Sequence, residues 1–271
     1  MNTMTLPTTN FADSRLIQFF KSAFEGSKLV SFNAVAMLAA FAVCTALQWV
    51  DTQELNGINV WVKPGKFYLS MAVHFITVAW ALSLVDERVR NSRIVIWSSW
   101  TMVISAWAEH AYITFRAASG EASHFNVGTP LSAALYSAMA VLAILLVVAP
   151  AVIGIKIWRQ NRASVWTQSV AIGFTLAAVL TIIVGMTLGG NSSHWIGGDL
   201  TDATGLPIFK WSTTGGDLRV SHFISLHAVQ LVPFAAVSGK RSVVWGVTIF
   251  VTALTAATFF QALAGVPLLQ V

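Results

Sequence analysis

Residues 131–158 read LSAALYSAMAVLAILLVVAPAVIGIKIW, and a single charge, Lys156, falls in the whole stretch. A helix needs about 20 apolar residues to cross a hydrocarbon core, and this run exceeds that length. Six further apolar runs lie near 29–50, 66–85, 94–117, 168–189, 220–238 and 243–265. The fold class they imply is all-α, a polytopic membrane protein with seven transmembrane helices. Composition agrees, since 56% of the 271 residues are hydrophobic and 10% charged. A soluble domain carries about 25% charged residues.

Charge sets the expected orientation. Eleven of the sixteen Lys and Arg residues sit in four places: the N-terminal segment, the 86–93 loop, the 156–166 loop and the 239–242 turn. With seven spans these all fall on one side, which the positive-inside tendency makes cytoplasmic. The N-terminus is then inside and the C-terminus outside. Trp49, Trp61, Trp195 and Trp211 mark the outer boundary, and Trp97, Trp158, Trp166 and Trp245 the inner one. A formal net charge of +5 placed in short loops sets topology, so nucleic-acid binding is not expected.

Residues 1–28 read as an N-terminal interfacial segment. From Phe11 to Lys28, Leu16, Ile17, Phe19, Phe20 and Phe24 alternate with Arg15, Lys21 and Lys28, the pattern of an amphipathic helix on a membrane surface. No short apolar stretch with a small-residue cleavage site precedes it, so no cleaved signal peptide is expected. Residues 29–271 form the transmembrane domain. Its outer loop near 189–219 is rich in Gly, Asp, Ser and Thr, yet Trp195, Ile196, Leu206, Pro207, Ile208, Phe209 and Trp211 argue for an ordered lid. Thr129-Pro130 reads as the cap and first turn of the fourth span. Cys44, alone and mid-span, excludes an internal disulfide.

Histidines carry the functional signal. His74, His110, His222 and His227 lie in three apolar runs, and ionisable groups at membrane depth are costly enough to mark function. At about 1.5 Å per residue, His74 lies roughly 12 Å below the outer edge, with His110 and His227 roughly 10 Å below it. Three imidazoles at one level can converge on a metal or haem iron. His222 lies nearer the surface and about 140° around the helix from His227, suited to proton handling. Glu109, beside His110, needs a partner; Tyr112 and Arg116 share its helix face. Gln230, three residues past His227, is placed to orient that ring or to bond a neighbouring helix.

Five cations, Lys63, Lys66, Arg116, Lys210 and Arg219, lie on the side expected to be poor in them. Lys66, Arg116 and Arg219 sit above the histidine level, placed for haem propionates or another anion. Pairing with Glu121, Asp199, Asp202 and Asp217 is the alternative. His124 and His194 with Asp199 and Asp217 offer a second, solvent-facing metal set, against a simple hydrogen-bonded loop. The Gly-Gly pairs of the lid match no phosphate-binding loop, no lysine lies deep enough for retinal, and there is no Gly-x-Ser-x-Gly elbow.

Three motifs carry a resemblance: Lys63-Pro64-Gly65-Lys66-Phe67 with Ser70; Ser123-His124-Phe125-Asn126; and Gly215-Gly216-Asp217-Leu218-Arg219-Val220-x-His222-Phe223-x-x-Leu226-His227-x-x-Gln230. In these the chain resembles a group of functionally unassigned bacterial seven-helix integral membrane proteins. The resemblance implies a multi-pass protein of the bacterial inner membrane and transfers no activity.

The leading expectation is a membrane oxidoreductase or electron-transfer protein with haem b, or otherwise a copper, zinc or iron ion. His74, His110 and His227 would be the metal ligands; Lys66, Arg116 and Arg219 the cofactor-binding cations; Glu109, His222 and Gln230 the catalytic or orienting groups. Expected partners are the lipid bilayer and a quinone or periplasmic redox protein, with a homo-oligomer left open. No Cys-x-x-Cys-His occurs, which excludes c-type attachment. The alternative is a proton-coupled transporter or channel using Glu109 and the histidines as a relay, beneath a gating lid. A metal-dependent enzyme acting on lipid, through His124, His194 and the loop aspartates, is a third expectation.

Overall fold

The structure, a computed structural model, describes residues 11–270. The first ten residues of the expected interfacial segment lie outside the described residues. The rest of that segment is helix α1 (Phe11–Gly26). Ser27 ends it and caps α2 (Lys28–Val50), its side chain accepting from Val30 N at 3.3 Å. A two-residue-per-strand hairpin follows, β1 (Glu54–Leu55) with β2 (Ile58–Asn59). Then come α3 (Val62–Ser83), the short α4 (Glu87–Arg90) and α5 (Arg93–Ala118). The chain continues through α6 (Pro130–Gln160), α7 (Val165–Asn191), β3 (Trp195–Ile196), β4 (Gly216–Asp217), α8 (Leu218–Ala235) and α9 (Arg241–Leu263).

Among the described residues, six helices are long and apolar enough to cross a membrane: α2, α3, α6, α7, α9, and α8 with its 3₁₀ extension to Ser238. They point to a multi-pass membrane protein. The remaining long helix, α5, has 26 residues, about 39 Å at the helical rise, and so has the length to span. Its Ser98, Ser99, Thr101, Ser105, Glu109, His110, Tyr112 and Thr114 leave it less apolar than the other six. Thr129 caps α6 as expected, accepting from Ser132 N at 3.1 Å, with Pro130 at the first position. Helix α3 begins earlier than its apolar pattern suggests. Pro64 is tolerated in a first turn, so Lys63 and Lys66 lie on the helix and not before it.

Helix α3 is the central element, packed against α1, α2, α5, α6 and α8. Phe75, Phe174, Met37, Leu82, Met102 and Ile153 fill the core around it, all fully buried. Helix α1 docks on the same helix, Phe19 stacking on Trp80 at 6.1 Å. Close approach of α7 to α8 depends on Gly173: a Cβ there would stand 2.8 Å from Ala228 O and from Pro233 Cδ. Small residues at such crossings let membrane helices pack without a hydrophobic driving force between them.

The segment between α7 and α8 folds over the helix ends on the side expected to be outer. β3 pairs antiparallel with β4, Trp195 opposite Asp217. The β1–β2 hairpin holds the far side, with Asn56 O accepting from Asp202 N (2.9 Å) and Thr201 Oγ1 (3.1 Å). On α9, a Cβ at Gly216 would fall 1.9 Å from Ala262 O. The expected lid is thus pinned on both flanks.

Candidate functional site

The polar centre of the molecule lies directly beneath the lid. Lys63, on the first turn of α3, places Nζ 3.2 Å from His124 Nδ1. An ammonium has no lone pair, so Nδ1 is the acceptor and the His124 proton sits on Nε2. Ser123 Oγ lies 3.0 Å from the same nitrogen. His194 from the lid and His222 from α8 lie close enough to act electrostatically on His124. From α5, the buried Glu109 reaches Lys63 in the same way. Glu109 Oε2, His194 Nε2, Trp195 Nε1 and His222 Nδ1 are buried with no hydrogen-bond partner among the described residues.

Burial, reinforced by Lys63 and the two neighbouring histidines, holds the His124 imidazole well below its usual pKa of 6.5. His194 is likewise depressed by burial, although the nearby Asp202 carboxylate opposes this. Their separation of 3.7 Å is too long for a hydrogen bond. For Asp202, burial alone would raise the pKa, yet His194 and Arg219 hold it below the usual carboxylate value.

A second polar set lies one to two turns deeper, between α3 and α8. His227 Nδ1 donates to Gln230 Oε1 at 3.1 Å, and Gln230 Nε2 donates to Thr77 Oγ1 at 3.4 Å. Gln230 therefore both orients the ring and ties α8 to α3. His74 is in electrostatic range of His227, and its Nε2 is buried without a partner among the described residues. His110 stands apart from this pair. Its Nδ1 donates to Ala106 O at 2.7 Å, and its ring packs against Tyr68 (5.0 Å) and Phe67 (6.1 Å).

Arg219, Lys66 and Arg116 are engaged inside the protein. Arg219 binds Asp217 (2.7 Å) and Asp202 (2.8 Å) and donates to Lys210 O (2.6 Å). Lys66 Nζ donates to Phe209 O at 3.1 Å. Arg116 pairs with Glu121, donates to Ala122 O and lies 5.9 Å from the Tyr112 ring centre. The pairing reading holds for Arg116 with Glu121 and for Arg219 with Asp202 and Asp217, whereas Lys66 meets a backbone carbonyl.

His227 is edge-on to Phe223 at 4.2 Å and bonded to Gln230, and His110 packs against Tyr68 and Phe67. Among the described residues, no group of three or more His, Cys, Asp or Glu side chains is arranged to hold a metal ion. The expected triad of His74, His110 and His227 is therefore not assembled. The outer set of His124, His194, Asp199 and Asp217 fares no better. Asp199 is exposed, and Asp217 is occupied by Arg219 and by Ser212 N.

No protein-family model, curated protein or solved structure matches the chain. Function must therefore be argued from the site itself.

Sequence reasoning put Lys63 among the outer cations, His124 and His194 in a second, solvent-facing set and Asp202 among the partners of the cations, a pairing that Arg219 makes at 2.8 Å. It did not join these residues with Glu109 and His222 in one centre, because their approach depends on how the lid folds back over the bundle.

Proposed function

We propose that the chain is a proton-coupled transporter of the bacterial inner membrane, taking up its substrate from the periplasmic side beneath the lid. In this reading α5 is a seventh span, the N-terminus is cytoplasmic and the C-terminus periplasmic. The length of α5 and the gathering of eleven of sixteen basic residues on one side support that arrangement. The motif resemblance to bacterial seven-helix proteins agrees with it.

One observation carries the functional reading. Lys63 stands between the buried Glu109 and His124, with His194 and His222 in electrostatic reach. Ionisable groups kept this close in a low-dielectric interior share protons, because charging one alters the cost of charging the next. A proton arriving under the lid meets His194 or His124 first. It then passes among His222, Lys63 and Glu109, with His74 and His227 as the deeper acceptors. Below Gln230 and Thr77 the core closes over Leu82, Ile153 and Phe174, as in a carrier whose inner end is shut. The reading needs neither haem nor a quinone partner.

The test is proton uptake into dye-loaded proteoliposomes under a potassium diffusion potential, with small organic acids, amino acids and sugars offered outside. Uptake should fall at least about tenfold in Glu109→Gln and in Lys63→Met, since each removes a buried ionisable member of the relay. Uptake equal to that of empty vesicles with every solute, or unchanged in both variants, would count against transport.

A further inference from the structure

The lid carries a strained turn with no catalytic explanation. Phe209 N donates to Pro207 O at 2.8 Å, which makes Ile208 the centre of a γ-turn, and its φ is 69°. That is the rare, strained form of this turn. A β-branched residue at positive φ is a genuine outlier. Lys210 follows with φ 60°. The Ile208 side chain is 78% exposed, so its own packing does not offset the strain.

Two cations hold the turn in place: Lys66 through Phe209 O and Arg219 through Lys210 O. The turn in turn presents an aromatic stack. Phe209 lies on Trp211 (4.4 Å, 17° between planes), and both meet Phe223 edge-on at 5.1 and 5.6 Å. Phe223 covers the ring of His227 at 4.2 Å. A continuous set of contacts thus runs from the strained residue to the deeper histidine pair.

We propose that Leu206–Trp211 is a spring-loaded plug: Lys66 and Arg219 latch it shut, and its release uncovers His227 and His74 to water and solutes from the outer side. Strain held at one residue favours any state in which the turn relaxes, so the closed form persists through the latch and the aromatic stack. The inference is independent of proton transport, because it concerns access to His227 whatever that access serves.

The experiment is diethylpyrocarbonate modification of the protein in lipid nanodiscs at fixed pH, read histidine by histidine by peptide mass spectrometry. Phe209→Ala and Lys66→Met should each raise the modification rate of His227 about fivefold or more by populating the open state. Ile208→Gly should lower it, because glycine adopts positive φ readily and favours the closed turn. His110, which the plug does not touch, serves as the internal reference. An unchanged His227 rate in Phe209→Ala and Lys66→Met would overturn the proposal. So would a parallel rise at His110, which would mark general loosening, or a faster His227 in Ile208→Gly.

Discussion

Replacing Asp217 by alanine should unfasten the lid from α8. The Asp217 carboxylate accepts from Ser212 N and Arg219 N, both at 2.9 Å, and from the Arg219 side chain at 2.7 to 3.2 Å. It is 2% exposed and forms the N-cap of α8. Loss of the cap costs about 1 kcal/mol, and the bond from Ser212 N to a charged acceptor about 1.5 kcal/mol more. Arg219 keeps Asp202 and Lys210 O and its side chain is 25% exposed, so losing one of its carboxylates adds only about 1 kcal/mol. Asp217→Ala should therefore destabilise by about 3 to 4 kcal/mol, whereas Asp217→Asn, which can still cap and accept, should lose about 1 to 2 kcal/mol. Equilibrium unfolding in mixed micelles of rising dodecyl sulfate fraction measures both. A loss under about 1 kcal/mol for alanine, or equal losses for the two variants, would refute this account of the junction.

Acid should also weaken the lid. His124 and His194 are held below 6.5 in the folded protein, so below that pH the unfolded chain binds protons that the folded chain refuses. Stability should stay level above pH 6.5 and fall as the pH drops towards the folded values, by up to about 1.4 kcal/mol per pH unit for each histidine. Unfolding measured between pH 7.5 and 5 should show this slope, and His124→Gln with His194→Gln should flatten it. Gly216→Ala should push β4 off α9, because its Cβ would lie 1.9 Å from Ala262 O. The cost is about 1 to 3 kcal/mol, read as faster tryptic cleavage after Lys210; cleavage at the wild-type rate would show that the contact is not needed.

Much of the architecture was legible in the chain because lipid imposes a simple rule on helices. Apolar length gave the long helices nearly to their ends, and Thr129-Pro130 marked the start of α6. The histidine layer was read less well. Depth along each helix follows from counting residues, but the direction each ring faces does not. His74 and His227 do approach one another, while His110 turns towards Tyr68. The cations show the same limit. Their height was readable, yet Lys66 and Arg219 bind carbonyls of the lid, and those contacts bring together residues about 143 positions apart and 9 positions apart respectively. No periodicity encodes such pairings.

The polarity of α5 bears on biogenesis. In the proposed seven-span arrangement, a segment holding Glu109 and His110 partitions poorly into lipid when it leaves the translocon alone. Its indole Trp107 Nε1 donates to Asn33 Oδ1 of α2 at 2.6 Å, and α3 supplies the surface for His110. Both of those helices are synthesised earlier. The nascent chain thus has its chaperone within itself, and damage to Asn33 should appear first as a misinserted or rapidly degraded product rather than as a fully assembled protein that works badly.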